Sequence, residues 1–463
     1  MFACPNCGGN LKFHIPSQQL ACEYCQSQFD PYSFDHKEKD AQEMKEFEVT
    51  VFSCPQCGGE ILSTDTTAAG FCSFCGASTI LYSRISHELR PEYIIPFQQT
   101  KEDCKKSYAA RMKKAIFAPK ELRDEKCIDG FRGIYMPYWA FYMTQDQHVS
   151  MEGKKSHRRG DYIITDHYDL DCDLHAYYKG LSYDASSSFS DDISQAIAPY
   201  DVKGMKAFTP AYLSGFYADT ADIEPRFYET DARNEAFETS RRQLTGHGAF
   251  AGYSPTIKRS ADPSYDSLGT TTQEIDRTMF PVWFLSYRKG DRVAYATVNG
   301  QTGKVVNDLP VDPKRYLFGS LLLAIPLFIL FNLLFTMKPT SLVTITTAIS
   351  VISLILFAIE SGKLKRKENG LDDKGLLASK KVQRTQVQAE KGGSAGYISS
   401  IIAIVISGLI LVTQPVSDIF YYGAAILSLI AVGVCISRIL RSHNLLATRR
   451  LPQFDYQGGD DRA

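Results

Sequence analysis

The chain has 463 residues, enough for several domains, and its 51 basic residues nearly cancel its 52 acidic ones. The balance is uneven: residues 1–90 carry 6 Lys and Arg against 11 Asp and Glu, whereas from Tyr316 onward there are 15 against 9. An acidic amino-terminal region argues against nucleic-acid capture there by phosphate neutralisation, which needs a basic surface.

Eight of the twelve cysteines stand in two copies of one pattern. The first is Cys4-Pro5-Asn6-Cys7-Gly8-Gly9 followed by Cys22-Glu23-Tyr24-Cys25, and the second is Cys54-Pro55-Gln56-Cys57-Gly58-Gly59 followed by Cys72-Ser73-Phe74-Cys75, fifty positions later. A C-x2-C turn presents two thiolates to one ion, and two such turns close a tetrahedron with no open position. The spacing therefore predicts two small β zinc ribbons, over 1–34 and 52–90, each holding one structural Zn2+ that supplies most of its folding energy. Gly8 and Gly58 stand where the turn needs positive φ. Disulfide pairing is the competing use of these cysteines; the doubled spacing and the lack of a signal peptide disfavour it. Between the ribbons, residues 35–51 form a charged spacer.

Residues 91–315 are expected to be a cytoplasmic α+β sheet module. Thr100 with Asp103 starts a helix as a capping box, Cys104, Tyr108, Met112 and Ile116 form its apolar stripe, and Pro119 stops it. A second helix is expected over 231–244. Tyr168, Leu170, Cys172 and Leu174 alternate with Asp169, Asp171 and Asp173, the period of a half-buried strand with carboxylates on its wet face. A calcium loop is a poorer account, because its glycine and glutamate positions hold Leu174 and Gly180. Two strands flank Lys289-Gly290-Asp291. Both tryptophans fall in matching phrases, Met136-Pro137-Tyr138-Trp139 and Phe280-Pro281-Val282-Trp283, with a fainter echo at Thr209-Pro210-Ala211-Tyr212. Each phrase is expected to open a strand in a module of degenerate sheet units, with the Pro-x-Trp residues as core anchors.

From 316 the character changes. Apolar runs over 316–337, 340–360, 396–413 and 418–440 are each long enough to cross a hydrocarbon core of about 30 Å, predicting four transmembrane helices. The connection 361–395 holds nine basic and four acidic residues, the tail 441–463 adds Arg441, Arg449 and Arg450, and the opposite loops contain one basic residue. Basic residues favour the cytoplasmic side. Both termini, the ribbons and the module are therefore expected in the cytoplasm of a multi-pass plasma-membrane protein, with the 361–395 loop against anionic lipid.

No nucleotide-binding loop, zincin or nucleophile-elbow motif occurs; Gly300-Gln301-Thr302-Gly303-Lys304 only echoes a phosphate loop, and His157-Arg158-Arg159 reads as an exposed turn. No charge sits at the centre of a span, which disfavours transport.

Cys-Pro-x-Cys-Gly-Gly at 4–9 and 54–59, Gly133-Ile134-Tyr135-Met136-Pro137-Tyr138-Trp139, Phe280-Pro281-Val282-Trp283 and Val298-Asn299-Gly300-Gln301-Thr302-Gly303-Lys304-Val305 carry a resemblance to a bacterial group. The group comprises membrane proteins with amino-terminal zinc ribbons of the transcription-factor-IIB type, some named after the primosomal replication helicase. The likeness extends over most of the chain, which has two ribbons where one is common. It implies association with phage-shock-type coat proteins or shell-forming membrane-associated proteins. The expectation is thus a non-enzymatic membrane anchor that recruits or scaffolds cytoplasmic proteins in envelope stress. The alternative is a membrane-tethered nucleic-acid-binding or transcription-regulatory protein.

Overall fold

The computed structural model describes residues 2–37, 46–63, 72–76, 82–257, 267–290, 292–334, 338–368 and 394–450. It has the multidomain layout expected: two amino-terminal Cys4 clusters, a central sheet module and four apolar helices.

The first ribbon is a three-stranded sheet, β1 Leu11–His14, β2 Gln19–Cys22 and β3 Gln28–Phe29. The strands β4 Glu46–Ser53, β5 Glu60–Ser63 and β6 Tyr82–Leu89 carry the second cluster. They belong to one twelve-stranded sheet with the module, so the second ribbon is not a separate unit. β4 also starts inside the predicted spacer and pairs with β6 along its whole length, Glu46↔Leu89 to Ser53↔Tyr82. Alternation of Phe47, Val49 and Val51 into the main core draws that stretch into the sheet, which local charge does not reveal. Spacer residues 38–45 lie outside the described residues.

β7 Tyr93–Ile94 leads to helix α1 Lys101–Lys114, which begins with the Thr100–Asp103 capping box and buries Cys104, Tyr108 and Met112. It ends earlier than the stripe suggested: Ala115 is the C-cap and Ile116 is 63% exposed. A helical turn, α2 Glu125–Ile128, precedes the hairpin of β8 Arg132–Arg159 and β9 Tyr162–Asp184. After α3 Asp191–Ile197, β10 Lys206–Ala207 and β11 Tyr217–Ala218 comes α4 Glu229–Thr245, the second expected helix. The hairpin of β12 Thr270–Lys289 and β13 Arg292–Asn299, then β14 Val305–Asn307, completes the module. Thr209-Pro210 opens a short 3-10 turn over Pro210–Leu213, so that echo is not a sheet unit.

The two Pro-x-Trp phrases do not open strands. They lie inside β8 and β12, the central antiparallel pair, related by a local two-fold at Met136↔Phe280: Pro137 faces Met279, and Pro281 faces Tyr135. The environments correspond. β11 lies parallel to β8 at Ile134 and Tyr135, and β9 takes over from Tyr138. β7 lies parallel to β12 at Thr278 and Met279, and β13 takes over from Val282. Each proline therefore sits where its strand changes outer neighbour. Its carbonyl still accepts a hydrogen bond, from Ala185 N at 2.9 Å or Gly300 N at 2.8 Å, while its missing N–H falls at the seam. Each tryptophan fastens the segment that follows its own strand's parallel neighbour: Trp139 Nε1 donates to Ile223 O at 2.8 Å, beyond β11, and Trp283 Nε1 to Gln99 O at 2.9 Å, beyond β7.

Beyond Gln145, which pairs with Thr270 at the start of β12, β8 and β9 continue as a two-stranded arm about 45 Å long at the usual rise per residue. Leu170, Cys172 and Leu174 face its packed side and the three aspartates face water, as the alternation predicted, but Tyr168, the first residue of that stripe, is exposed. His157-Arg158-Arg159 lies at the exposed tip.

The apolar helices are α5 Pro313–Leu334, α6 Pro339–Glu368, α7 Ser394–Thr413 and α8 Asp418–Leu446, each with a stretch long and apolar enough to cross a membrane. α6, α7 and α8 pack together around a polar seam. Ser350 Oγ donates to Ser428 O at 3.2 Å, Ser407 and Ser428 hydroxyls meet at 3.0 Å, and Ser400 Oγ meets Cys435 Sγ at 3.0 Å. The spanning stretch of α5 has no residue buried inside the protein. α6 runs to Glu368, inside the basic loop predicted over 361–395; residues 369–393 of that loop lie outside the described residues. The tail's first part is also ordered: α8 reaches Leu446 and Arg449–Arg450 forms β15 on β13. The remaining tail, 451–463, lies outside the described residues.

Sheet and apolar helices dock directly. Arg292 donates to Leu445 O at 2.6 Å and Thr448 O at 2.7 Å, and Asn444 exchanges two hydrogen bonds with the Val311 backbone. Arg315 donates to Ala118 O at 3.0 Å beside an edge contact of Phe117 with Tyr316.

Candidate metal centres

Each cluster is assembled from two turns of the same construction. In the first, Cys4 N donates to Gly9 O at 2.7 Å and Gly8 N to Cys4 O at 2.8 Å; in the second, Cys54 N donates to Gly59 O at 2.9 Å and Gly58 N to Cys54 O at 2.7 Å. Gly8 and Gly58 adopt φ of +72° and +73°, the conformation the sequence required of them. The turns after Cys22 and Cys72 close through Gln26 and Gly76, both also at positive φ, though only the second is glycine. Gly9 has a different reason to lack a side chain: a Cβ there would stand 2.5 Å from the Tyr24 ring.

The turns bring Cys4, Cys7, Cys22 and Cys25 together, and likewise Cys54, Cys57, Cys72 and Cys75, with the sulfurs of each set within 4.8 Å of one another. A tetrahedral ion with metal–sulfur bonds of about 2.3 Å sets neighbouring sulfurs about 3.8 Å apart. The second cluster matches at 3.8 Å for Cys54–Cys75 and 3.7 Å for Cys57–Cys72. The first is slightly tighter, at 3.5 Å for Cys4–Cys25 and 3.4 Å for Cys7–Cys22. Both sets can hold a metal ion. Among the described residues, no other group of three or more His, Cys, Asp or Glu converges in this way.

The electrostatics express the same crowding. Contacts with Cys57, Cys72 and Cys75 hold the Cys54 thiol far below the ordinary range, while Cys57 is pushed far above it by Cys54, Cys72 and Cys75. A cation at the centre relieves that competition by stabilising all four thiolates at once. In the first cluster Ser27, through its hydroxyl and backbone N–H, holds Cys25 down to about 6.

The surroundings differ. In the second cluster all four cysteines are buried, packed with Phe52, Ile61 and Phe74 under Tyr217. Tyr295 Oη pins that end by donating to Phe74 O at 2.7 Å. In the first, Cys4 and Cys22 are buried but Cys7 and Cys25 are exposed. The strands behind it are anchored: Leu11, Phe13 and Leu20 lie in the main core, Phe13 N donates to Ser214 O at 3.0 Å, and Gln18 Nε2 to Phe97 O at 2.8 Å.

Other cysteines stay apart from the clusters; Cys104 is core, as its helical stripe indicated. The Gly300–Gly303 turn is closed by buried Asn299, whose Oδ1 accepts from Gln301 N and Thr302 N, which leaves those amides unavailable to a phosphate. Two features escaped the sequence. On the arm, His148 pairs with Asp173 at 2.9 Å, His167 with Glu152 at 2.8 Å and His175 with Asp146 at 2.9 Å; only strand register brings these partners together. Asp219 is buried, which pushes its carboxyl up to about 7 although the Ser186 and Ser188 hydroxyls donate to it. Its partners lie more than thirty positions away, out of reach of any local pattern.

No family model matches the chain, and no solved structure matches it. Among curated proteins, it is similar to one of Bacillus subtilis (strain 168) described as "Uncharacterized protein YdjG", 28% identical over 321 residues that make up 67% of this chain and 90% of that protein.

Proposed function

We propose that the protein is a non-enzymatic, membrane-anchored zinc-ribbon protein that recruits or scaffolds cytoplasmic protein partners at the inner face of the plasma membrane, in the service of envelope stress. One observation carries this reading: two Cys4 centres and four apolar helices belong to a single hydrogen-bonded assembly. The second centre is part of the sheet that Arg292 ties to α8 and β15. A partner bound at the ribbons is thereby held at the bilayer. Zinc suits both sets, since four thiolates without an open position favour it in a structural role. Both termini lie in the cytoplasm, where thiolates stay reduced, and the basic residues of 361–395 face anionic lipid. Phage-shock-type or shell-forming proteins are the class of partner in this reading, and the acidic ribbon region suits protein contacts better than phosphate.

Proximity labelling in cells, with the label fused before Met1, tests the function. A defined set of cytoplasmic proteins should be labelled, and labelling should fall when Cys7→Ser and Cys57→Ser are combined. Recovery of nucleic acid with salt-dependent affinity, and no protein, would replace this reading by the nucleic-acid alternative. Orientation is tested separately. Single cysteines at Thr340 and Ser417, in a background keeping only the eight cluster cysteines, should react with an impermeant thiol reagent on whole cells, and one at Ser379 should not. The reverse pattern inverts the topology.

A further inference from the structure

We infer that the first Cys4 cluster is a thiol-modification site at which a peroxide or comparable two-electron oxidant releases the metal, while the second cluster is closed to the same chemistry. The inference rests on both clusters holding zinc.

Access separates the two. Cys7 and Cys25 are exposed, one from each turn of the first cluster, so an oxidant reaches both halves of that site from solvent. All four cysteines of the second are buried, and Tyr217 packs against them. Thiolate chemistry needs approach to sulfur, so burial blocks it until the local structure opens.

Geometry supplies the second step. Each exposed cysteine has a buried one as its near neighbour, Cys25 beside Cys4 at 3.5 Å and Cys7 beside Cys22 at 3.4 Å. The Cys25 thiolate attacks one peroxide oxygen, giving a sulfenic acid and hydroxide. The Cys4 thiolate then attacks that sulfur, expelling hydroxide and closing a disulfide after an approach to about 2.05 Å. Cys7 and Cys22 repeat the sequence. One zinc tetrathiolate and two hydrogen peroxide molecules thus give two disulfides, one Zn2+ and four hydroxide ions, with four electrons passing from sulfur to oxygen.

The fold confines the consequence. Leu11, Phe13 and Leu20 hold the ribbon strands in the main core through apolar packing, which oxidation does not touch. The change is limited to the two cysteine turns and to Tyr24, which is 79% exposed and whose ring lies against Gly9. Oxidation would therefore alter a small exposed surface on an otherwise intact protein and would be reversed by thiol reductant.

The test uses the full chain in detergent, loaded with zinc, and first counts metal per chain. A content other than two would defeat the zinc reading itself, whatever the reactivity of the thiols. With two bound, hydrogen peroxide is added in the presence of a chromogenic zinc chelator. One zinc should be released at least about tenfold faster than the other, a ratio set by local opening of the buried site. Peptide mapping after partial reaction should show Cys4–Cys25 and Cys7–Cys22 disulfides, with Cys54, Cys57, Cys72 and Cys75 still alkylatable after metal removal. Tyr217→Ala should speed release of the slower zinc. Equal release rates in the wild-type chain, no release, or disulfides confined to the second cluster would each overturn the inference.

Discussion

The two four-cysteine clusters repeat one pattern fifty residues apart, yet their surroundings in the fold differ. The second is woven into the twelve-stranded sheet, with β5 paired to β11 and Tyr295 fastened to Phe74. The first has its own small sheet and is docked on the core by one side, leaving its cysteine turns in water. Identical ligand spacing thus fixes the coordination, while the neighbours decide how much of the rest of the molecule depends on it.

The sharpest way to break that contrast is to remove one ligand from each. Cys57→Ser should cost the second metal and unsettle the sheet around it. The loss should be several kcal/mol, part of the roughly 10–16 kcal/mol that structural zinc supplies to small domains. Cys7→Ser should lower metal content equally, from two to one per chain, but lower the thermal midpoint much less. Metal analysis with a thermal melt of the full chain checks both, and equal drops in midpoint would erase the difference.

Phe13→Ala probes how firmly the first ribbon is docked. Phe13 is buried in edge contact with Tyr212 at 5.2 Å, and its removal should cost about 3–5 kcal/mol. Limited proteolysis should then cut ahead of residue 91 in the first ribbon while the second stays protected. Protection of both would mean that the first ribbon stands without its docking.

Asp219 follows Ala218 of β11, the strand bridging the second ribbon and β8, and so tests that side of the comparison by pH. Burial raises its folded pKa from the ordinary 3.8 to about 7, so the folded state holds the proton more tightly. Its stabilising contribution is full below about pH 4 and is lost as pH rises to about 7. The thermal midpoint should fall over that window in the wild type and fall less in Asp219→Asn. An unchanged slope would show that Asp219 does not govern it.

Tyr295→Phe should have the smallest effect, about 1 kcal/mol, by removing the hydrogen bond from Tyr295 Oη to the Phe74 carbonyl. It should speed metal loss from the second cluster to a chelator and leave the first unchanged.

Much was legible in the chain, for physical reasons that differ by element. Metal ligation is local: two C-x2-C turns and their glycines determine both cysteine sets wherever they sit. The apolar runs announce themselves because a hydrocarbon core demands a minimum length of apolar helix. The capping box at Thr100 and the Cys104–Tyr108–Met112 stripe were also readable, being one-helix properties. Strand pairing is not local. Neither the annexation of residues 46–51 by the sheet nor the placement of Pro137 and Pro281 at seams could be read from neighbours in sequence, since both depend on which strand lies alongside. The same holds for the histidine–carboxylate pairs of the arm and for the Asp219 cluster. The sequence by itself determined that this protein has two four-cysteine centres, a mixed sheet module and four apolar helices, because each rests on short-range spacing or length. Only the tertiary structure decided that one centre is sealed and the other open, because burial is set by segments far along the chain, such as Tyr217 and Tyr295 over the second cluster.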